Sequence, residues 1–541
     1  MLLKDFELLQ INKNYISNLQ DKDPQALVAL SLQLASDLKE ARDRLNQNSS
    51  NSSRPSSSDA PWITGHLDQS EDDEQTDPDK YTGTTQEQED PAPLPADGES
   101  TESTPDQNTT PDDDTHKKPR SPGRQPGSPG FGRQQHLTPT AKEAHFCQHC
   151  SGCGSALAQD CQQAWTGFDS IDVIFGKPDS PGLQLTCTRH IYYQCCCPEC
   201  GLNNRTEPYR HPPDPCDWNK VELTQWRLIG PSLAALISYL CMDMRLSRRK
   251  VVVLMYDLLG LHISVGCIQN CIVESARALS PLEEEIIQDV LNTDLLHADE
   301  TTHKESGVLL WLWVFISSTT ALFQVGYRSK EIWNNLLASV HGEGFQGWMM
   351  SDGYGVYREY ARRLRCWAHL IRKAKGLSES CDRYARACGQ ELEHRLNALM
   401  QCIYQAREGP DKGTQSIAKE QDDNVQSIKR LCEVMKSASH EKTRALGVEF
   451  LNDWEAIFRI LDYPAWPLTN NEAERALRHW VIMRRMTQGT RSEQGSRAVA
   501  LFASVITTCR LRKASPLLFM RDVIQARRAG QEVLPLPPVV A

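Results

Sequence analysis

Apolar residues recur at spacings of three and four between residues 23 and 48, at Leu27, Leu30, Leu34, Leu38, Ala41 and Leu45. That period predicts an amphipathic helix, opened by Asp23 as N-cap with Pro24 at the first helical position. No other apolar segment lies nearby to cover the stripe, so it suits a short coiled coil. From Asn46 to about Arg133 the chain is Ser, Asp, Glu, Pro, Gly and Thr with few aliphatics. Such a stretch cannot bury enough apolar surface to order itself and is predicted to be disordered. Residues 220–293 read as helical throughout. Two short helices near 247–258 and 264–278 flank "LLGLHIS", where Gly260 fits the tight turn of an ordinary helical hairpin or of a helix-turn-helix whose second helix reads a DNA groove. From 295 to about 370 the pattern is strand-rich with one helix. Its long apolar run, Gly307–Phe323, is broken by Ser317-Ser318-Thr319-Thr320, which predicts a turn between two strands rather than a membrane span. Residues 372–462 return to amphipathic helix, and 470–528 are helical and basic.

Charge changes the picture next. The chain of 541 residues carries a formal charge of −11, which argues against a polyanionic partner. The charge is unevenly spread, however. Seventeen acidic residues and one lysine lie between Asp68 and Asp114, so the rest of the chain is net +5. Between Arg475 and Arg528 twelve basic residues face only Glu493 and Asp522. Such a stretch suits a phosphate backbone, with Arg475, Arg478, Arg484, Arg485 and Arg491 as candidate DNA contacts against the plainer reading of a solvated helix face. The N-terminal "MLLKDFELLQINKN" has charges within its apolar stretch and no small-residue cleavage site, so no signal peptide is expected. A cytoplasmic location follows, with the nineteen cysteines reduced and their clusters pointing to metal rather than to disulfides.

The cysteines fall into two knuckles. Cys150-x-x-Cys153 is followed by Gly154, and Cys197-x-x-Cys200 by Gly201. Two thiolates in each knuckle can converge on one ion, and glycine permits the tight turn that brings backbone close to sulfur. Together they predict a structural Zn²⁺ held by four thiolates in a small ribbon. Cys147, Cys195 and Cys196 leave the ligand choice open, because Cys147-x-x-Cys150 is also a legal pair.

Carboxylates supply the other candidate chemistry. "LLHADET" brings Asp299 to what reads as the end of an apolar strand, and "GWMMSDGYGVYREY" does the same for Asp352. In "LTNNEAERALR", Asn470 or Asn471 is placed to cap a helix carrying Glu472 and Glu474. Two acidic strand ends and one helical Glu are what a two-metal phosphoryl-transfer site needs, and carboxylates suit Mg²⁺ or Mn²⁺. Glu472 and Glu474 lie about 200° apart on the helix, and the wheel does not choose between them.

"LLHADETTH", "GWMMSDGYGVYREY", "RCWAHLIRKA" and "LTNNEAERALR", in series, resemble the transposases of the bacterial insertion-sequence family numbered sixty-six, a DDE type. The leucine-rich N-terminal helix, the polar "NSSNSSRPSSSD" and the two cysteine knuckles resemble that family in the same order. The resemblance implies an α/β, RNase H-like catalytic core interrupted by a helical insertion, with Asp299, Asp352 and Glu474 as the triad; it picks Glu474 through its position before Arg475. The expected organisation is a leucine-rich helix (1–48), a disordered linker (49–140) and a zinc ribbon (141–215), then a helical DNA-binding segment (220–293). The core would follow in two parts (294–371 and 467–528) around the insertion (372–466), with a tail at 529–541. Implied partners are the terminal inverted repeats, target DNA, further copies of the chain on DNA and accessory transposition proteins, with no membrane and a nucleoid location. His369 of "CWAH", read here as strand, matches the family motif without a role. The alternative is a decayed, non-catalytic zinc-containing regulator, against which the intact acidic positions speak.

Overall fold

The computed structural model describes residues 11, 13–45, 138–177, 179–212, 221–337 and 344–539. The segment predicted to be disordered lies outside them, apart from its last few residues. Helix α1 (Lys13–Lys22) leads into α2 (Pro24–Leu45), where the Asp23 carboxylate accepts from the Ala26 N–H at 3.0 Å, as an N-cap should. Leu38 of the predicted stripe stays exposed. The far end of α2 is anchored by Asp43, which is buried and accepts from the Ser380 hydroxyl at 2.6 Å.

Four strands form the first sheet: β1 (Ala141–His145), β2 (Gln163–Lys177), β3 (Ser180–Cys196) and β4 (Asn203–Arg205). β3 is central, antiparallel to β2 and β4 and parallel to β1. Helices α3 (Pro231–Met242), α4 (Arg248–Leu259), α5 (Val265–Leu279) and α6 (Leu282–Leu291) follow. Gly260 ends α4 in the left-handed conformation, φ 64°, at the tight turn expected there. The second half of α5 is buried from Cys271 to Leu279, whereas Val265, Gly266 and Asn270 in its first half are exposed.

The second sheet holds β5 (Leu295–Glu305), β6 (Val308–Ile316), β7 (Ala321–Gly326), β8 (Trp348–Ser351) and β9 (Arg363–Arg365), in the order β7-β6-β5-β8-β9. β5, β6 and β7 pair antiparallel, while β8 runs parallel to β5 and β9 parallel to β8. Helix α7 (Lys330–Leu337) lies between β7 and β8 in the chain. β6 and β7 are the apolar run with its predicted turn. Among the described residues no helix is long and apolar enough to cross a membrane.

After β9 come α8 (Trp367–Ser378), α9 (Arg383–Glu408), α10 (Asp422–Lys436), α11 (Glu441–Asn452) and α12 (Trp454–Phe458). They enclose an apolar core of their own, with Leu392, Leu396, Ile428 and Phe450 fully buried. "CWAH" is therefore not strand: Cys366 is the N-cap of α8 and His369 sits in its first turn. The chain then returns to the sheet through α13 (Asn471–Thr487), α14 (Glu493–Leu511) and α15 (Pro516–Arg528). α14 covers the outer edge of β7. Its Ser504 and Thr508 hydroxyls accept the Phe323 and Ala321 N–H groups at 2.8 and 3.1 Å, which would otherwise be unpaired edge donors.

Candidate active site

The register of two neighbouring strands places the first two carboxylates. Leu295, Leu296 and His297 of β5 stand opposite Trp348, Met349 and Met350 of β8. Two residues further along each chain come Asp299 and Asp352, on the same face of the pair because side chains alternate with period two. Asp352 lies just past the end of β8, as expected, and its carboxylate accepts the Tyr354 N–H at 2.9 Å in an Asx-type turn. Asp299 differs from expectation. It is not at a strand end but in the middle of β5, which pairs with β6 as far as Glu305. What ends beside it is β8, which stops at Ser351.

Asn470 brings up the third carboxylate. It is the N-cap of α13, yet its side chain makes no cap. Its amide instead donates to the Ala298 carbonyl at 2.8 Å and its oxygen lies 3.1 Å from His297 Nδ1. The helix start is thereby stapled to β5 one residue before Asp299. Glu474, in the first turn, then faces inward, while Glu472 is exposed and pairs with Arg475 at 3.7 Å.

The electrostatics of this group are unbalanced. Burial pushes the Asp299 carboxyl well above the usual range, and the neighbouring Asp352, Glu300 and Glu474 charges push the same way. Glu474 is also raised, chiefly by burial, against the opposing pull of Arg372 and Arg478. Its Oε1 is buried without a hydrogen-bond partner, 3.7 Å from both His369 Nε2 and Arg372 Nη2. Glu300 is different, since it is held by Arg328 at 2.7 Å and by the Tyr357 hydroxyl at 2.8 Å. A cation would relieve the mutual repulsion of these carboxylates, and carboxylate oxygens suit a hard divalent ion.

His369 is the residue that the sequence left without a role. Burial and the charges of Arg372, Lys373 and Arg365 push it down to about 3, so it is neutral, and its Nδ1 is buried without a partner. Cys366, His369 and Glu474 present ligand atoms within 4.8 Å of one another. The Cys-x-x-His spacing in "CWAH" was the available signal.

The candidate DNA contacts divide. Arg475, Arg478, Arg485 and Arg491 are exposed. Arg484 turns inward instead, donating to the Thr301 hydroxyl at 2.9 Å and to Thr302 of β5.

Away from the carboxylates, Cys150, Cys153, Cys197 and Cys200 come together, with Sγ–Sγ separations of 3.5 Å for Cys150–Cys200 and for Cys153–Cys197. Gly154 and Gly201 adopt φ 77° and 74°, and each donates its N–H to the carbonyl of the first cysteine of its knuckle at 2.9 Å. The backbone N–H groups of Cys153 and Gly152 pull the Cys150 thiol down to about 6, while Cys150 and Cys153 push the neighbouring Cys200 thiol up to about 12. Cys147 and Cys196 point elsewhere, to the Tyr193 and Gly201 carbonyls. Four sulfurs in this arrangement are compatible with zinc.

A family model described as "Transposase IS66 family" matches residues 227–498, half of the chain. The chain belongs to that family. The match runs from just before α3 into α14 and includes all three candidate carboxylates. Two relatives from Sinorhizobium fredii are similar to it: the uncharacterized protein y4qI is 25% identical over 294 residues, which is 49% of this chain and 53% of the relative. The uncharacterized protein y4hP is 25% identical over 339 residues, 56% of this chain and 60% of the relative. The chain thus spans little more than half the length of these curated relatives.

Proposed function

We propose that this IS66-family protein is a DNA transposase that cleaves at the ends of its insertion sequence and joins the freed 3′-hydroxyls to target DNA. The reading is supported by Asp352 and Glu474 lying near enough for their charges to raise the Asp299 carboxyl, and by Glu474 Oε1, which is buried without a partner. The sheet order and strand directions, with β5 central between an antiparallel and a parallel half, support an RNase H-like core. Asp299, Asp352 and Glu474 would hold two Mg²⁺ or Mn²⁺ ions. When bound, such ions activate the attacking oxygen and steady the leaving one. The protein's own part is to fix the carboxylates on rigid elements. β5 carries Asp299, the turn after β8 orients Asp352, and the Asn470 staple sets the position of Glu474. A strand-transfer assay with the element's own ends and Mg²⁺ or Mn²⁺ tests the reading: no product from the intact protein with either ion would remove it.

The exposed arginines of α13 and the loop after it would follow the phosphate backbone. Affinity for DNA should then fall steeply with salt, and Arg485→Ala should lower the slope of log affinity against log salt by about one unit. Arg484→Ala should change the slope less and stability more, because its guanidinium is already spent on β5. Equal slope changes for the two variants would return Arg484 to the DNA-contacting set.

We further propose that the four-cysteine cluster holds a structural Zn²⁺. Replacing Cys197 and Cys200 by Ser should release about one zinc per chain and loosen the first sheet. Full zinc content in that variant would place the ion elsewhere.

A further inference from the structure

On the first sheet three more donors meet that belong neither to the cysteine cluster nor to the carboxylate pocket. Glu143 and His145 stand two residues apart on β1, so both lie on one face. On β3, His190 is opposite Glu143. His145 Nε2 is 3.1 Å from His190 Nδ1, and Glu143 Oε2 is 3.4 Å from that same Nδ1. Glu143 Oε1 lies 3.9 Å from His145 Nε2.

A ring nitrogen has a single in-plane position, filled by one proton or one lone pair. Two groups approach His190 Nδ1 within 3.4 Å, and a hydrogen bond along that position can serve only one of them well. A cation between the three would serve all. The spacing fits: ligands about 2.0–2.1 Å from a tetrahedral zinc stand about 3.3 Å from each other.

The surroundings also resemble a built site. His190 Nε2 is 3.1 Å from the Ser170 hydroxyl, an outer partner of the kind that sets the tautomer and leaves Nδ1 to bind. The ring planes are held by stacking, His145 on Tyr192 with centroids 4.3 Å apart and His190 on Phe168 at 4.7 Å. The Glu143 side chain is 58% exposed and that of His145 26%, which leaves a fourth position open to water.

We propose that Glu143, His145 and His190 form a second zinc site, separate from the four thiolates, with two imidazoles, one carboxylate and one water-accessible position. Imidazole donors favour Zn²⁺ over Mg²⁺ or Ca²⁺. Among the described residues β1 pairs with β3 alone, so the ion would tie this strand to the centre of the sheet.

The test uses the full chain, dialysed free of loose metal, with zinc counted in wild type, His145→Ala, His190→Ala and Glu143→Gln. Each histidine variant is expected to hold about one zinc less than wild type. Glu143→Gln should bind that equivalent about tenfold or more weakly. Cobalt substitution provides the control for folding, because thiolate charge-transfer absorption from the cysteine cluster should persist in all three variants. Unchanged zinc content in both histidine variants overturns the proposal. If the histidine variants also lose the thiolate absorption, Glu143→Gln decides, and wild-type zinc affinity in it overturns the proposal. None of these readings depends on DNA cleavage, so failure here is distinct from failure of the transposase reading.

Discussion

Strand cleavage and strand transfer are expected to vanish in Asp299→Asn, Asp352→Asn and Glu474→Gln, with binding to the element's ends nearly intact. Each amide keeps the shape of the carboxylate and removes the charge that would hold an ion. The geometry adds a second readout. Burial and neighbouring charge raise the Asp299 carboxyl well above its usual range, so in metal-free buffer the native site carries a repulsion that Asn relieves. Thermal stability of Asp299→Asn without added divalent ion should therefore equal or exceed that of wild type, which separates lost chemistry from lost fold. Glu472→Gln should keep activity, since Glu472 is solvent-exposed and paired with Arg475. Losses in double variants should be far from additive, as expected of residues that work as one unit. A dead Glu472→Gln beside an active Glu474→Gln would reassign the third carboxylate. Wild-type cleavage by all four variants would end the two-metal reading altogether.

Much of the sheet and the helices around it was legible because apolar period and turn residues are local signals. The Ser317–Thr320 turn and the tight turn at Gly260 are of that kind. What the sequence hid depends on partners far along the chain. The stretch after Asp299, "ETTHKE", looks too polar for a buried strand, and β5 was expected to stop at Asp299. Its polar side chains are in fact used by residues some 180 positions later: Thr301 by Arg484, His303 by Thr490, and Glu305 by Ser496 at 2.5 Å. The same distance explains Arg484, which reads as one more cation on a basic helix until β5 is seen to engage it. Asn470 shows the converse. Its place before a helix predicted a cap, and its helix boundary is right, but the side chain serves β5 because two buried groups there need it more. His369 was hidden twice over, by a strand reading of "CWAH" and by a partner, Glu474, that lies on another helix. The choice of Glu474 over Glu472 was open on the helical wheel and came only from family resemblance; in the fold Glu474 is half-buried and Glu472 exposed.

Loss of Asp453 should destabilise the fold by about 3–5 kcal/mol, the range for breaking a buried ion pair by removing one partner. Asp453 follows α11 and has no exposed side-chain surface. Its carboxylate accepts from Arg363 at 2.7 Å and from Arg358 at 3.1 Å, and Arg365 lies 3.2 Å away. Arg363 and Arg365 are the two ends of β9, the edge strand that pairs with β8 just before Asp352. With alanine at 453, two guanidiniums, 5% and 0% exposed, are left in the interior beside Glu449, which Lys373 also engages. They cannot rehydrate without tearing β9 from the sheet, and the helices between β9 and α13 would lose their grip on the second sheet. The Arg365–Glu449 pair also lies against Gly353, where an added Cβ would stand 2.8 Å from both partners, so the same cluster borders the Asp352 turn. Two contrasts make the expectation specific. Arg358→Ala should cost much less, because that guanidinium is 39% exposed and water can replace it. Glu455→Ala, two residues from Asp453 but 89% exposed, should change stability by no more than about 0.5 kcal/mol. The measurement is the urea midpoint of the three variants at unchanged slope. A midpoint for Asp453→Ala no lower than that for Glu455→Ala would mean that β9 is held by its apolar contacts and not by this carboxylate.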